Sequence, residues 1–288
     1  MFTEESSQQI TPLPEERSEP PVVTAGSGVQ PIPKTPWWAP WIDVLTALAV
    51  WFVSVIVLVI VPLIYVIPYM VYRIVKLGPP APEALATDKM LIFFSVAGIF
   101  PTHLLTFVLV WMVVTYGGRR PFWKNIEFDW PKNSTPVMTT MLSVLLAIVL
   151  FGLAVMFTKF FGDHKTDLDL LIESSVYTRF ATALVAVVTA PLVEELIYRG
   201  VLYKAIEKAA GVGISIVVVS LLFAGVHVFQ YRNNIAVIAV ITLLSITLTV
   251  ARAVSGRVLP AFIIHLVFNG IQSVLIVLGA FVDKDILK

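Results

Sequence analysis

Cysteine is absent from the 288 residues, so the chain can form no disulfide, bind no metal through sulfur and use no thiol nucleophile. Charge is also scarce, at 14% of residues. Twenty Lys and Arg balance nineteen Asp and Glu to a formal net charge of +1. Such a chain lacks the field that would gather nucleic acid or acidic substrates. No HExxH zinc motif and no GxGD aspartyl motif occurs, and no serine stands out as a partner for a histidine. Internal repeats and inverted pairs of broken helices, common in secondary transporters, are missing as well.

What remains is apolar. Hydrophobic residues make up 58% of the chain and the mean hydropathy is +0.88, well outside the range of a soluble domain. Uncharged runs from Val44 to Tyr72, Met90 to Gly118 and Asn133 to Thr158 each exceed the roughly 20 residues that a helix needs to cross a bilayer. Further spans are predicted from near Tyr177, over Ala209 to Val226, over Asn233 to Ala251 and over Val258 to Val282. The expectation is an all-α, polytopic transmembrane bundle of about seven to eight helices around a polar intramembrane cleft.

Residues 1–36 are rich in Pro, Glu, Ser and Gln and have too little apolar surface to offset the entropy of ordering, so a disordered tail is expected there. No basic start followed by a short apolar core marks a signal peptide. Residues 37–176 are read as N-terminal membrane helices, 177–282 as a catalytic membrane core and 283–288 as a C-terminal tail. Trp37, Trp38 and Trp41 stand where aromatic residues gather at the headgroup level. Eleven Lys and Arg fall on the side of the N-terminus and nine opposite, which favours a cytoplasmic N-terminus.

An ionisable side chain at bilayer depth costs a few kcal/mol on insertion scales, so each one here asks for a role. In "APLVEELIYRG", Glu195 and Arg199 are four apart and share a helix face, whereas Glu194 points about 100° away. Glu195 and Arg199 read equally well as a structural staple. Glu194 has only Tyr198 four residues on; a carboxylate without an ion pair suits a general base. Pro191 cannot donate to the carbonyl of Val187 and should loosen the helix one turn earlier. Two later helices each offer one polar face, Phe223 with His227 in "FAGVH" and His265 with Asn269 in "HLVFN". Glu194 lies seventeen residues before Gly211 and His227 sixteen after it, so both lie about 25 Å along antiparallel neighbours. His103 and His164 have no such companions and read as structural or surface residues.

The ordered set EExxxR, FxxxH and HxxxN resembles the CAAX protease and bacteriocin-processing family of intramembrane proteases, called CPBP or Abi, over about residues 177–280. The resemblance implies an intramembrane endopeptidase that hydrolyses a peptide bond in a membrane-anchored protein or peptide. It further implies Glu194 as the catalytic glutamate, His227 as the histidine that helps activate water, and His265 with Asn269 as the pair that orients the water or stabilises the oxyanion. Glu195 and Arg199 would support the site, and Phe223 would pack beside it. Family members with this pattern are linked to CAAX processing or to bacteriocin self-immunity, which places the chain in the plasma membrane of a bacterium. No cofactor is demanded, although Glu194, His227 and His265 are ligand types that zinc uses. Two other function classes fit the same residues: a non-catalytic immunity or scaffold protein that keeps the polar cluster for stability, and an ion-coupled carrier using the carboxylates as a proton relay.

Overall fold

The computed structural model describes residues 36, 39–162, 166–231 and 234–282. The expectations for the N-terminal tail, Trp37, Trp38, His164 and the C-terminal tail fall outside these residues. The described residues from Ala39 onward form one compact unit. Among the described residues there are helices and no strands. In chain order we label them α1 (Ala39–Leu77), α2 (Lys89–Thr115), α3 (Pro136–Phe161), α4 (Asp167–Ser174), α5 (Val176–Ala210), α6 (Val212–Tyr231), α7 (Ile235–Ser255) and α8 (Val258–Val282). Short helical turns, Pro82–Ala86 and Phe122–Asn125, lie in the first two loops.

Six of these helices are long and apolar enough to cross a membrane, and the apolar part of α6 is slightly shorter. The chain is an integral, multi-pass membrane protein. Helix starts follow local chemistry. Thr135, Ser175 and Asn234 accept hydrogen bonds from backbone N–H groups of α3, α5 and α7, supplying partners that a bilayer does not. Thr166 and Asp169 form a capping box on α4. Asp88 caps α2 and ties it to α1 through the Tyr69 hydroxyl at 2.7 Å and Arg73 at 2.9 Å. Burial works against its charge, but the Leu91 N–H, the Tyr69 hydroxyl, the Met90 N–H and Arg73 together hold its carboxyl below the usual range.

Packing makes α5 the axis of the bundle. Its apolar window is 44% buried, the largest share of any span, because α1, α2, α6 and α8 all lie against it. One apolar core surrounds its C-terminal half, with Val50, Val110, Leu196, Leu202, Val219 and Phe223. A second joins α3, α7 and α8 through Ala147, Leu150, Leu248, Ile264 and Phe268. The numerous exposed Leu, Ile, Val and Phe side chains, such as Leu45, Leu145 and Leu221, are what a lipid-facing surface requires.

The loop between α2 and α3 is locked onto one end of this axis. Glu127 pairs with Lys204 at 3.0 Å and with Arg252, its carbonyl accepts from Val258 N–H, and Lys204 donates to Asn125 O. This brings the buried Ile126 against Gly200, where a β-carbon would sit 2.5 Å from Ile126 Cγ1. Ile126 is held on both sides in sequence and has no room to withdraw. Gly200→Ala is therefore expected to cost about 1–3 kcal/mol by overpacking. A thermal midpoint in detergent equal to that of the wild type would contradict this.

Candidate active site

The site is built on an irregular stretch of α5. Residues Val185–Thr189 and Leu196–Leu202 are π-helical, and the α-helical turn Ala190–Glu195 between them carries the two carboxylates. Such wide turns are uncommon and concentrate at functional sites. Pro191 explains the first. In the π register the N–H that proline lacks falls opposite the carbonyl of Ala186, one residue from the Val187 expected of an α-helix. Asn269 Nδ2 supplies the missing donor, at 2.9 Å from Ala186 O. Ser273, one turn further along α8, donates to Ala183 O at 3.2 Å. Asn269 was expected to act on water or the oxyanion. One of its two amide protons holds the broken helix together, and the other is left for such a role.

The two adjacent glutamates divide as their helical faces require. Glu195 is wholly buried, and its Oε1 accepts from Arg199 Nη1 at 3.0 Å and from His265 Nδ1 at 2.8 Å. Glu194 keeps 22% of its side chain exposed, and its Oε2 faces His265 Nε2 at 3.8 Å. That gap is too long for a direct hydrogen bond. Because a carboxylate only accepts, His265 carries its proton on Nδ1, so in the neutral ring Nε2 presents a lone pair toward Glu194. Glu195 therefore does more than neutralise Arg199: it also sets the orientation and tautomer of His265. Only its Oε2 has no partner.

Arg199 is fully buried, and every arm of its guanidinium is engaged. Nη2 donates to Ser245 O at 2.9 Å and Ser245 Oγ at 3.0 Å, and Nε reaches Thr249 Oγ1 at 3.3 Å. Ser245 and Thr249, one turn apart on α7, are site residues that the sequence reading missed. The signal was present as a second polar face, "SITLT", but hydroxyls are ordinary in membrane helices because they can bond back to their own backbone. Arg252 continues the chain by donating from Nε to Arg199 O at 3.0 Å.

Phe223 is the hub of the aromatic side. Its ring stacks on His227 at 4.7 Å, meets His265 edge-on at 6.0 Å and Tyr198 at 5.0 Å, and lies 4.9 Å beneath the Arg199 guanidinium. His227 donates from Nδ1 to Phe223 O at 2.8 Å, which leaves Nε2 as the acceptor in the neutral ring. Tyr231 stacks on the outer side of His227 at 6.5 Å. Trp51 of α1 donates to the Tyr198 hydroxyl at 3.1 Å. Of the sequence-predicted residues, Arg199 of α5, His227 of α6 and His265 of α8 thus meet around one aromatic ring. His103, read as structural or surface, is buried and bonds through Nδ1 to Thr189 Oγ1 at 2.7 Å.

Among the described residues no three His, Asp or Glu side chains stand together as a metal ion needs. The Nδ1 atoms of both histidines are already committed to Glu195 and to Phe223 O. A separate groove of about 180 Å³ between α3, α7 and α8 is lined by apolar residues such as Leu150, Phe157, Val240 and Phe268.

Residues 176–271 match the family model of Rce1-like type II CAAX prenyl endopeptidases, a stretch that runs from the start of α5 past Asn269. The matched segment is 96 of the 288 residues, and it is this third of the chain that is Rce1-like. Glu194, Glu195, Arg199, Phe223, His227, His265 and Asn269 all lie inside the matched segment. No curated protein and no solved structure matches the chain. The likeness to type II CAAX prenyl endopeptidases is a likeness of this segment.

Proposed function

We propose that this protein hydrolyses a peptide bond in a membrane-anchored protein or peptide, with Glu194 as the base that activates water. The observation that carries this reading is the facing pair, Glu194 Oε2 and His265 Nε2 at 3.8 Å, within an Rce1-like domain. Two acceptors so placed suit one molecule with two donors. A water that donates to both has its oxygen lone pairs free for attack. Glu194 takes the water proton as the oxygen adds to the scissile carbonyl. His265, held by Glu195, orients the water. The second N–H of Asn269, one turn from His265 on α8, is assigned as the donor to the developing oxyanion, a contribution that strengthens in a water-poor site. The proton passes to the leaving amine, with His227 Nε2 as the relay. Water and amide are consumed, and a carboxylate and an amine are formed.

As proposed, these steps run on side chains alone. Cleavage is expected to survive chelators such as EDTA and 1,10-phenanthroline unchanged. A loss restored by zinc would overturn the metal-free reading. We also propose a bacterial plasma membrane and a cytoplasmic N-terminus; the orientation is supported by Lys204, Lys208, Arg252 and Arg257, which share the end of the bundle that bears Asp43 at the start of α1.

Comparison of peptide termini in membranes from cells with the wild type and with Glu194→Gln tests the activity. Termini that disappear in the variant are products. Identical termini in both strains would favour the scaffold reading and end the proposal.

A further inference from the structure

His103 lies on α2, outside the residues 176–271 that match the family model, and none of the three motifs contains it. It is nevertheless buried against the part of α5 that is least able to hold its own shape. Its Nδ1 is 2.7 Å from Thr189 Oγ1, and the Thr189 hydroxyl donates to Val185 O at 3.3 Å. With that hydroxyl proton committed, Thr189 accepts and His103 Nδ1 donates. Val185 O also accepts the N–H of Ala190, which closes the π turn. The histidine therefore clamps the last residue of the π stretch, two residues before Pro191 and five before Glu194. On the other side Asn269 and Ser273 of α8 hold Ala186 O and Ala183 O. The π stretch is gripped from two helices at once, because its own backbone bonds are fewer.

We propose that His103 is a positioning residue of the site, holding through Thr189 the π-helical stretch that aims Glu194 at its water. The inference rests on Glu194 being the base. A misplacement of about 1 Å can cost about a hundredfold in rate, so a clamp outside the motifs has leverage on the chemistry.

The test compares wild type, His103→Leu, His103→Asn and Thr189→Val in the full-length protein in membranes. Asn places an amide N–H near the position of imidazole Nδ1, whereas Leu removes the donor and Thr189→Val removes the acceptor without changing shape. Two quantities are read: hydrogen exchange in peptides covering residues 185–195, and the rate of formation of the termini that Glu194→Gln abolishes. His103→Leu and Thr189→Val are expected to speed exchange in that segment and slow cleavage about a hundredfold. His103→Asn returns both toward wild type. Unchanged exchange in His103→Leu and Thr189→Val overturns the clamp. Restored exchange in His103→Asn without restored cleavage also overturns it, because the far nitrogen of the ring would then act in the reaction itself. Should Glu194→Gln leave every terminus intact, the proposed function fails, while the exchange measurement still decides whether His103 holds the segment.

Discussion

Arg199→Leu is expected to destabilise the folded bundle by about 3–5 kcal/mol, the penalty for stranding one partner of a buried ion pair. The guanidinium is fully buried, bonded to Glu195, Ser245 and Thr249, and stacked over Phe223. Removing it leaves the wholly buried Glu195 with His265 as its remaining donor, and it empties the junction between α5 and α7. A thermal midpoint in detergent and the amount of protein accumulated in membranes both report the loss. Arg199→Lys will not restore it, since one ammonium cannot span Glu195, Ser245 and Thr249 in the geometry of a planar fork. The double variant Arg199→Leu with Glu195→Gln should be less damaged than Arg199→Leu alone, because no charge is then left without a partner. Equal damage in the two would show that lost packing, and not a stranded charge, dominates.

The architecture was legible because a bilayer leaves few choices. Long apolar runs gave the spans to within a few residues: Val44 to Tyr72 became Ala39–Leu77, and Val258 to Val282 was unchanged. The helical spacing of Glu195 and Arg199 predicted their pairing, and the structure has it at 3.0 Å. Periodicity could not convey the π turns. A proline announces that one donor is missing but not which carbonyl is left over, and the shift from Val187 to Ala186 depends on how the helix widens around it. Contacts that cross helices were hidden for the same reason. Ser245 and Thr249 reach Arg199 across about fifty residues of sequence, and His103 reaches Thr189 across eighty-six. A lone histidine in an apolar helix carries no mark of the helix it will face. The double role of Glu195 was likewise invisible, because spacing pairs it with Arg199 on its own helix and says nothing of His265 on another.

Glu194→Gln is expected to slow cleavage about 10²- to 10⁴-fold, the range that a positioned general base contributes, while leaving the thermal midpoint close to that of the wild type. The separation follows from burial. Glu194 keeps 22% of its side chain exposed and its nearest ionisable contact is the long one to His265, so an amide of the same shape strands no charge. Glu195→Gln differs in both respects. It neutralises the wholly buried carboxylate that accepts from both Arg199 and His265, so it should strand the Arg199 charge and lower the midpoint, and it should also slow cleavage by weakening the hold on the His265 ring. Adjacent glutamates of identical chemistry would thus separate on two axes, one changing rate alone and the other changing rate and stability together. If Glu194→Gln unfolds the bundle as Glu195→Gln does, the exposed carboxylate is holding structure and the assignment of the base fails. If it keeps both the midpoint and the rate, the water is activated elsewhere.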